Sequence, residues 1–405
     1  MEAFRNFISG IGTFFAILYR GGIIACRATW WWLMTIPKMV ITFVWWPLAV
    51  AFKRWPESQG FGRVALSLYM LFVAWLPLGM VSFVGYFFVN TLYIRNMDYD
   101  YVENLSFETF STAGTESVAT EGDARQTKTC ARSAIVDTTA YLIDFNVNQN
   151  EWTPGLLAYK IGPFGLALVN SNWTWDITPW FDNKASFQRG IHRAVDRVSI
   201  ELVDNLGRQR GTSERNELLA EARGNIQIPE GNWWLGDDPI GFKQTSWGSY
   251  EAARKQMLRY NANLAQCNAV FDARADNLKV FLDRMAKDIG SVSAVIKSRA
   301  ESNDSGWFDT RADNLFMETQ GMLYAYYGIL QAAGHDFEDV IKTKELGEVW
   351  TRIELQLRAA IELSPLIIAN GAEDAFLMPS HLTTQGFYVL RIRSNLVEMR
   401  GILEI

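Results

Sequence analysis

The residue types that most often carry metal and acid–base chemistry are scarce in this chain of 405 residues. Its three histidines are His192, His335 and His381, and none has a second histidine or a cysteine at a metal-ligand spacing. The chain also lacks the G-x-S-x-G turn, the phosphate-binding glycine loop and the zinc-protease motif. We therefore predict no metal, no cofactor and no catalytic residue, although an acid–base pair among the 44 Asp and Glu residues stays open.

The three cysteines fall into two groups. Cys130 and Cys267 lie in the acidic C-terminal part of the chain, whereas Cys26 lies in an apolar segment near the N-terminus. A disulfide between Cys130 and Cys267 can persist if this part of the chain lies outside the cytoplasm. Two alternatives stay open: a disulfide, or two buried free thiols.

Two loops rich in tryptophan are the best candidates for recognition: NWTWDITPWFDN over residues 172–183 and GNWWLGDDPIGF over residues 231–242. Tryptophan is frequent at the centre of protein interfaces and at membrane surfaces. Trp173, Trp180, Trp233 and Trp234 are therefore candidate contacts with a protein partner, a lipid headgroup or a second copy of the chain. The alternative is that their rings cover the ends of a helical bundle.

A phrase of eight residues occurs twice, as FDARADNL over residues 271–278 and as FDTRADNL over residues 308–315. Apolar residues recur at spacings of three and four after both copies, which predicts two equivalent helices with one buried stripe each. Asp272 and Asp309 are the predicted N-cap residues. The short turn SNDSGW predicts an antiparallel pair that arose by duplication. A symmetric polar site built from the two Arg-Ala-Asp-Asn segments is the functional alternative.

Further helices with the same spacing are expected over residues 187–206, 346–361 and 389–403. Few segments alternate with a period of two, so almost no sheet is expected. The predicted fold class is all-α: a membrane-embedded N-terminal region followed by an antiparallel multi-helix bundle that contains the duplicated helix pair.

An uncharged run of 31 residues extends from Val64 to Ile94. As a helix it would reach about 46 Å, which exceeds the roughly 30 Å of hydrocarbon in a bilayer. We predict a transmembrane helix over residues 63–95.

The segment before this helix, residues 1–62, is apolar and rich in tryptophan but carries scattered cations. Its tryptophans include Trp30, Trp31, Trp32, Trp45 and Trp46. Trp and Arg are favoured at the headgroup boundary, whereas a lone cation in the middle of a bilayer is costly. We expect helices lying in the membrane interface, where these rings contact lipids or a neighbouring membrane protein, and a second span over residues 28–52 stays open.

Charge is distributed unevenly along the chain. The net charge is +6 up to residue 95 and −6 for the whole chain, so residues 96–405 carry −12. Lys53, Arg54 and Arg63 precede the predicted span, which places that side in the cytoplasm and residues 96–405 in a bacterial periplasm. Residues 96–129 form a polar connection to a helical domain over residues 130–405. The negative charge argues against nucleic acid as a partner.

Several phrases of the C-terminal part are shared with a known family. VFDARADNL, GSVSAVIKS, DFEDVIKTKE and SPLIIANG, with the closing helix through SNLVEMRGIL, resemble the signature regions of an uncharacterised bacterial family of inner-membrane proteins, known only as a domain of unknown function. The resemblance covers residues 130–405. It implies one N-terminal membrane span and a helical domain, with no assigned activity or catalytic residue. The Trp-rich segment before Arg63 is not part of that pattern.

Together these features favour a membrane-anchored scaffold or accessory subunit in the bacterial inner membrane. Its periplasmic bundle would bind a membrane-protein partner or a second copy of the chain, beside the membrane lipids. One alternative is a module that binds a lipid or a small apolar ligand between its helices. Another is an envelope enzyme with an unrecognised site.

Overall fold

A computed structural model describes residues 59–105, 130–160, 181–208, 214–237, 240–302, 311–365, 367–371 and 380–404, together with 49–50, 53–55, 162, 167, 174–175, 178 and 309. The chain divides into two units, residues 1–87 and 88–405. Several predicted contact residues lie outside the described residues: Trp30, Trp31, Trp32, Trp45, Trp46, Trp173 and Trp180.

Eleven helices make up most of the described residues. They are α1 (Phe61–Leu92), α2 (Ala134–Asp144), α3 (Leu157–Lys160), α4 (Asn183–Glu201), α5 (Glu217–Ile226), α6 (Ser246–Ala265), α7 (Ala275–Ser302), α8 (Ala312–Asp336), α9 (Glu338–Thr343), α10 (Gly347–Ile361) and α11 (His381–Leu403). Strands β1 (Leu235–Asp237) and β2 (Ile240–Phe242) form one antiparallel hairpin. The prediction of a helical chain with almost no sheet is confirmed for this part of the chain.

Helix α1 coincides with the uncharged run that the sequence assigns to a membrane. It begins at Phe61 and ends at Leu92, and large apolar side chains such as Phe72, Trp75 and Phe83 are exposed along it. Where the structure describes the chain, no helix was found that is long and apolar enough to cross a membrane. The membrane span therefore stays a prediction of the sequence.

The two copies of the repeated phrase lead into α7 and α8, as predicted. In the predicted stripe of α7, Ala275 is partly buried and the others are buried: Leu278, Leu282, Met285, Ile289, Val292 and Ile296. In the predicted stripe of α8, Leu315 is partly buried and the others are buried: Ala312, Thr319, Met322, Tyr326, Ile329 and Ala333. The two helices have different main neighbours, however, because α7 packs against α11 whereas α8 packs against α4, α10 and α2. Equivalent sequences therefore occupy different positions in the bundle.

The structure corrects the predicted helix caps. Helix α7 begins at Ala275, three residues after Asp272, and the N-cap residue of α8 is Arg311 rather than Asp309. The Asp272 carboxylate accepts a hydrogen bond from Arg274 Nε at 2.8 Å. The Asp309 carboxylate forms an ion pair with Arg299. Both carboxylates therefore bind arginine side chains, and Asp309 also accepts a hydrogen bond of 3.3 Å from the backbone N–H of Arg311, the residue before α8.

Helix α8 lies at the centre of the bundle and crosses α4 at two glycines. A Cβ at Gly190 of α4 would overlap the carbonyl oxygen of Glu318, and a Cβ at Gly321 of α8 would overlap the carbonyl oxygen of Phe187. The two backbones are therefore in direct contact, and only glycine fits at these two positions. Most residues of α8 are buried because other helices pack around it on several sides.

The segment that follows α1 is part of the bundle. Tyr101 is buried, stacks on Tyr141 with ring centroids 5.0 Å apart and lies against Gly328 of α8. The hydroxyl of Tyr324 donates to the carbonyl oxygen of Asp98 at 2.7 Å. The first residues of the predicted polar connection are thus packed against the core, and residues 106–129 lie outside the described residues.

We expect the glycine crossing to be sensitive to a single methyl group. Gly321→Ala should destabilise the protein by about 1–3 kcal/mol or more, because the two backbones must separate. The matched control is Gly224→Ala in α5, where a Cβ meets nothing within 4 Å, and this change should stabilise the protein by up to about 1 kcal/mol. Chemical unfolding of the detergent-solubilised full chain, followed by circular dichroism, measures both. Equal stability of the two variants would contradict the crossing.

Candidate functional site

The disulfide joins the chain just before α2 to the end of α6. Cys130 and Cys267 are bonded, with Cα atoms 5.4 Å apart, and the bond closes a loop across 137 positions of sequence. Of the two alternatives that the sequence left open, the structure contains the disulfide. A cross-link over so long a loop removes much conformational freedom from the unfolded chain.

A buried carboxylate holds the start of α2 beside the disulfide. Asp336, at the end of α8, accepts hydrogen bonds from the Ser133 hydroxyl at 2.6 Å and from the backbone N–H groups of Ala134 at 2.8 Å and Ile135 at 3.0 Å. The side chain of Asn261 in α6 bonds to both the N–H and the carbonyl of Ser133. The positive end of the helix dipole stabilises this charge. The cluster therefore fixes α2, α6 and α8 to one another, which is a structural role.

The hairpin of β1 and β2 carries the second Trp-rich loop. Trp233 and Trp234 are stacked with ring centroids 6.3 Å apart, and Trp234 is 59% exposed. Phe242, at the end of β2, is 94% exposed. The N–H of Lys243 donates to the carbonyl of Trp234 at 2.9 Å and so holds the two strands together. Trp234 and Phe242 thus form an exposed aromatic surface and do not cover the core.

Helix α11 carries apolar side chains on two faces. Its inner face is buried against α7 and α10: Leu382, Val389, Ile392, Leu396, Met399 and Leu403. Three further apolar residues, Phe387, Leu390 and Val397, are exposed at spacings of three and seven. We call these three the outer face of α11. An exposed apolar stripe with heptad spacing has the pattern of one half of a helix–helix interface.

The second copy of the repeated phrase builds a polar cluster. Asp309 is bound by Arg299 at the end of α7 and by Asn370 Nδ2 at 3.0 Å. Asn370 Oδ1 accepts a bond of 3.4 Å from Ser380, the N-cap residue of α11. Burial alone would raise the pKa of Asp309, but the bonds from Arg299 and Asn370 outweigh burial and hold that pKa below its ordinary value. Asp309 therefore stays ionised and joins α7, α8 and α11.

Asp313 lies one helical turn further and has the opposite environment. Its side chain is in the first turn of α8 and only 6% exposed, and neither carboxylate oxygen has a hydrogen-bond partner among the described residues. The pKa of Asp313 is raised to about 6, mainly by burial and in smaller part by the charge of Asp309, against nearby backbone N–H groups that lower it. Asp309 and Asp313 are therefore two neighbouring carboxylates whose pKa values are driven apart, a pattern also seen in acid–base sites.

The two copies do not form a symmetric polar site in the described residues. The counterpart of Asp313 in the first copy is Asp276, whose side chain is 62% exposed and pairs with Arg274 at 3.3 Å. The difference follows from packing, because the start of α8 is enclosed by the bundle and the start of α7 is open on one side. The two copies therefore differ most at this position, where Asp313 is buried and Asp276 is exposed.

A third carboxylate cluster ties α4, α7 and α8 together. Asp288 is buried and accepts hydrogen bonds from Arg193 Nη2 at 2.7 Å and from the Tyr326 hydroxyl at 2.8 Å. Burial and the adjacent Asp288 charge raise the pKa of Tyr326 well above its ordinary value. The ion pair between Asp288 and Arg193 is satisfied within the fold, so we assign it a structural role.

The three histidines lie in three separate places. His192 borders a cavity of about 10 Å³ together with Trp152, Tyr250 and Asn146, a volume that holds about one water molecule. Burial lowers the pKa of His192 to about 4, against the opposing effect of a hydrogen bond with the backbone of Ile226. His335 lies 3.9 Å from Asp336. His381 Nδ1 accepts a 3.0 Å bond from the N–H of Ala369.

Among the described residues, no group of three or more His, Cys, Asp or Glu side chains is placed to hold a metal ion.

Sequence reasoning missed the outer face of α11 and the burial of Asp313. The first had a detectable signal, because Phe387, Leu390 and Val397 form a second apolar series beside the inner one. The burial of Asp313 had no signal in the sequence, because Asp276 occupies the same position in the other copy of the phrase and is exposed.

Comparison with known proteins gives one match. The model of a family described as "uncharacterized protein conserved in bacteria (DUF2333)" matches residues 170–305 and 296–405. No curated protein and no solved structure is similar to the chain. The matched residues include α4 to α11, and with them the hairpin, the polar cluster of the second copy and the outer face of α11.

The buried Asp313 predicts a specific dependence of stability on pH. Its folded pKa of about 6 lies above the roughly 3.9 of an unfolded aspartate, so the folded state binds the proton more tightly. This group's contribution to stability therefore falls as pH rises from about 4 to about 6 and stays low above that range. Asp313→Asn should raise the free energy of unfolding at neutral pH by up to about 3 kcal/mol, with the gain lost near pH 4.

The equivalent position in the first copy supplies the control for Asp313. Asp276→Asn changes the same residue type in the same phrase at an exposed site and should leave stability nearly unchanged at every pH. The measurement is chemical unfolding of wild type and both variants from acid to neutral pH. A loss of stability at neutral pH in Asp313→Asn would show that the ionised carboxylate is stabilising, which contradicts this account.

Proposed function

The chain belongs to the family of uncharacterised proteins conserved in bacteria, DUF2333, and we propose that it is a membrane-anchored scaffold or accessory subunit. Its helical bundle, on the periplasmic side of a bacterial inner membrane, binds a protein partner or a second copy of itself. One observation carries the proposal: α11 buries one apolar face in the core and exposes another, formed by Phe387, Leu390 and Val397.

The anchor is proposed from α1. The uncharged run from Val64 to Ile94 has 31 residues, and Phe72, Trp75 and Phe83 expose much of their side chains. Apolar area in contact with water costs roughly 25 cal/mol per Å², so an apolar environment stabilises this helix. The basic residues before the run favour a cytoplasmic location for its N-terminal flank.

The disulfide supports a location of the bundle outside the cytoplasm. Thiols of cytosolic bacterial proteins are kept reduced, whereas the periplasm is oxidising. Cys130 and Cys267 come after α1 in the chain, so a helix that crosses once with its basic flank inside carries them to the oxidising side. Charge asymmetry and the disulfide thus favour the same orientation.

Partner binding is proposed for the outer face of α11. Phe387 is 55% exposed and Leu390 is 53% exposed, and the guanidinium of Arg391 lies 5.4 Å from the centre of the Phe387 ring. Aromatic and arginine side chains are enriched among the residues that dominate binding energy at protein interfaces. A rigid helix that is already packed on its inner face loses little conformational entropy when a partner covers the outer one.

The two alternatives receive less support. The cavity beside His192 has room for about one water molecule and none for a lipid. Asp309 and Asp313 are the pair that an envelope enzyme would use, but Asp309 is bound by Arg299 and Asn370. The lipid- or ligand-binding module and the envelope enzyme therefore stay second to the scaffold.

Removing the outer face should abolish association without unfolding the bundle. In Phe387→Ser combined with Leu390→Ser, both changes are at exposed positions, so stability should change by less than about 1 kcal/mol. The apparent mass of the complex, measured in mild detergent by light scattering after size-exclusion chromatography, should fall to that of the monomer in its micelle.

The matched control is Val270→Ser, which also removes an exposed apolar side chain but lies before α7 in the chain. It should leave the mass of the complex at the wild-type value. If the complex of the double variant has the same mass as the wild-type complex, the proposed role of α11 is wrong. A wild-type protein that is itself a monomer without any bound partner would have the same consequence.

A further inference from the structure

From the surroundings of the end of α1, we infer that the bundle rests on the surface of the membrane that holds α1, through an aromatic surface formed by Tyr93, Leu157, Trp234 and Phe242. This inference depends on the proposed membrane anchor and adds the lipid surface as a second binding partner of the bundle. It concerns a different part of the molecule from the outer face of α11.

All four residues of the aromatic surface are exposed, and two of them strongly: Phe242 is 94% exposed and Tyr93 is 65% exposed. A tyrosine, a tryptophan and a phenylalanine are among them, and such rings are enriched where a protein meets the headgroup region. Removal of this apolar area from water is favourable. The composition therefore fits a lipid surface as the covering partner.

A chain of contacts connects the end of α1 to the hairpin. The Thr153 hydroxyl donates to the carbonyl of Asn90, in the last turn of α1, at 3.1 Å. The neighbouring Trp152 donates through Nε1 to the carbonyl of Glu230 at 2.9 Å. The N–H of Ser246 donates to the carbonyl of Asn232 at 3.0 Å, immediately before Trp233. The hairpin is thus held close to the place where α1 ends.

Two described residues of the first Trp-rich loop, Trp175 and Phe181, lie near the same place. Phe88, in the last turns of α1, contacts Phe181 with ring centroids 5.5 Å apart, and Phe181 contacts Trp175 at 5.1 Å. Trp175 and Phe181 of the first loop and the hairpin of the second loop therefore lie around the end of α1. A helix that leaves a bilayer at Leu92 would bring this side of the bundle to the headgroups.

Basic side chains near the aromatic surface suit anionic lipids. Arg95 and Lys160 are exposed, and the N–H of Arg95 donates to Asn150 Oδ1 at 2.6 Å, which fixes its backbone close to the end of α1. Lys160 lies beside Gly231, two residues before Trp233: a Cβ added to this glycine would be 3.9 Å from Lys160 Cε. A basic residue near an anionic leaflet contributes to attraction over about one Debye length.

The test uses photo-crosslinking of the full chain in lipid vesicles of phosphatidylethanolamine and phosphatidylglycerol. Benzoylphenylalanine replaces Phe242 in one protein and Phe387, on the outer face of α11, in the other. Both positions are exposed phenylalanines, so the substitutions are matched. We expect lipid adducts, measured by mass spectrometry, to be at least several-fold more abundant at position 242 than at position 387.

A separate extraction distinguishes failure of this inference from failure of the anchor. Vesicles are washed with alkaline carbonate before crosslinking, which removes proteins that are not inserted. A protein that stays in the vesicles but gives equal lipid adducts at both positions, or protein adducts at position 242, overturns the inference and leaves the anchor intact. A protein that the wash removes overturns the anchor and the inference with it.

Discussion

The contact between the backbones of α4 and α8 is the constraint on which the rest of the bundle depends. Gly190 and Gly321 let the two helices touch, and Gln188, two residues before Gly190, bonds to the carbonyls of Asn146 at 3.0 Å and Glu151 at 2.9 Å, after α2. Its Oε1 accepts the N–H of Thr153 at 3.0 Å. Gln188, beside the crossing, thus holds Thr153, whose hydroxyl bonds to the end of α1.

The position of α8 also explains why the two copies of the repeated phrase differ in the burial of their carboxylates. Other helices enclose α8, so Asp309 and Asp313 of the second copy are buried, whereas α7 is open on one side and Asp276 of the first copy faces solvent. Burial raises the pKa of Asp313, whereas at Asp309 the bonds from Arg299 and Asn370 outweigh burial and keep the carboxylate ionised. The duplication therefore explains why both copies lead into similar helices. The helices packed around each copy determine the exposure and the pKa of its carboxylates.

Spacing predicted the helices well because the same three- and four-residue pattern that forms a helix also selects its buried side, as in Leu278 to Ile296. Caps were harder, because Asp272 and Asp309 had arginine partners that a cap rule does not consider. The disulfide stayed open because sequence gives no distance between Cys130 and Cys267. The role of Trp234 also needed the structure, since exposure depends on the hairpin that carries it.

The central claim is that the bundle lies outside the cytoplasm, attached through α1, and presents separate surfaces to a protein and to lipid. Its most direct test is a pair of reporter fusions after Leu403 in a bacterial host: alkaline phosphatase, which folds only after export, and a fluorescent protein that matures only in the cytoplasm. The account predicts phosphatase activity and no fluorescence. Fluorescence without phosphatase activity would place the bundle in the cytoplasm and contradict the claim.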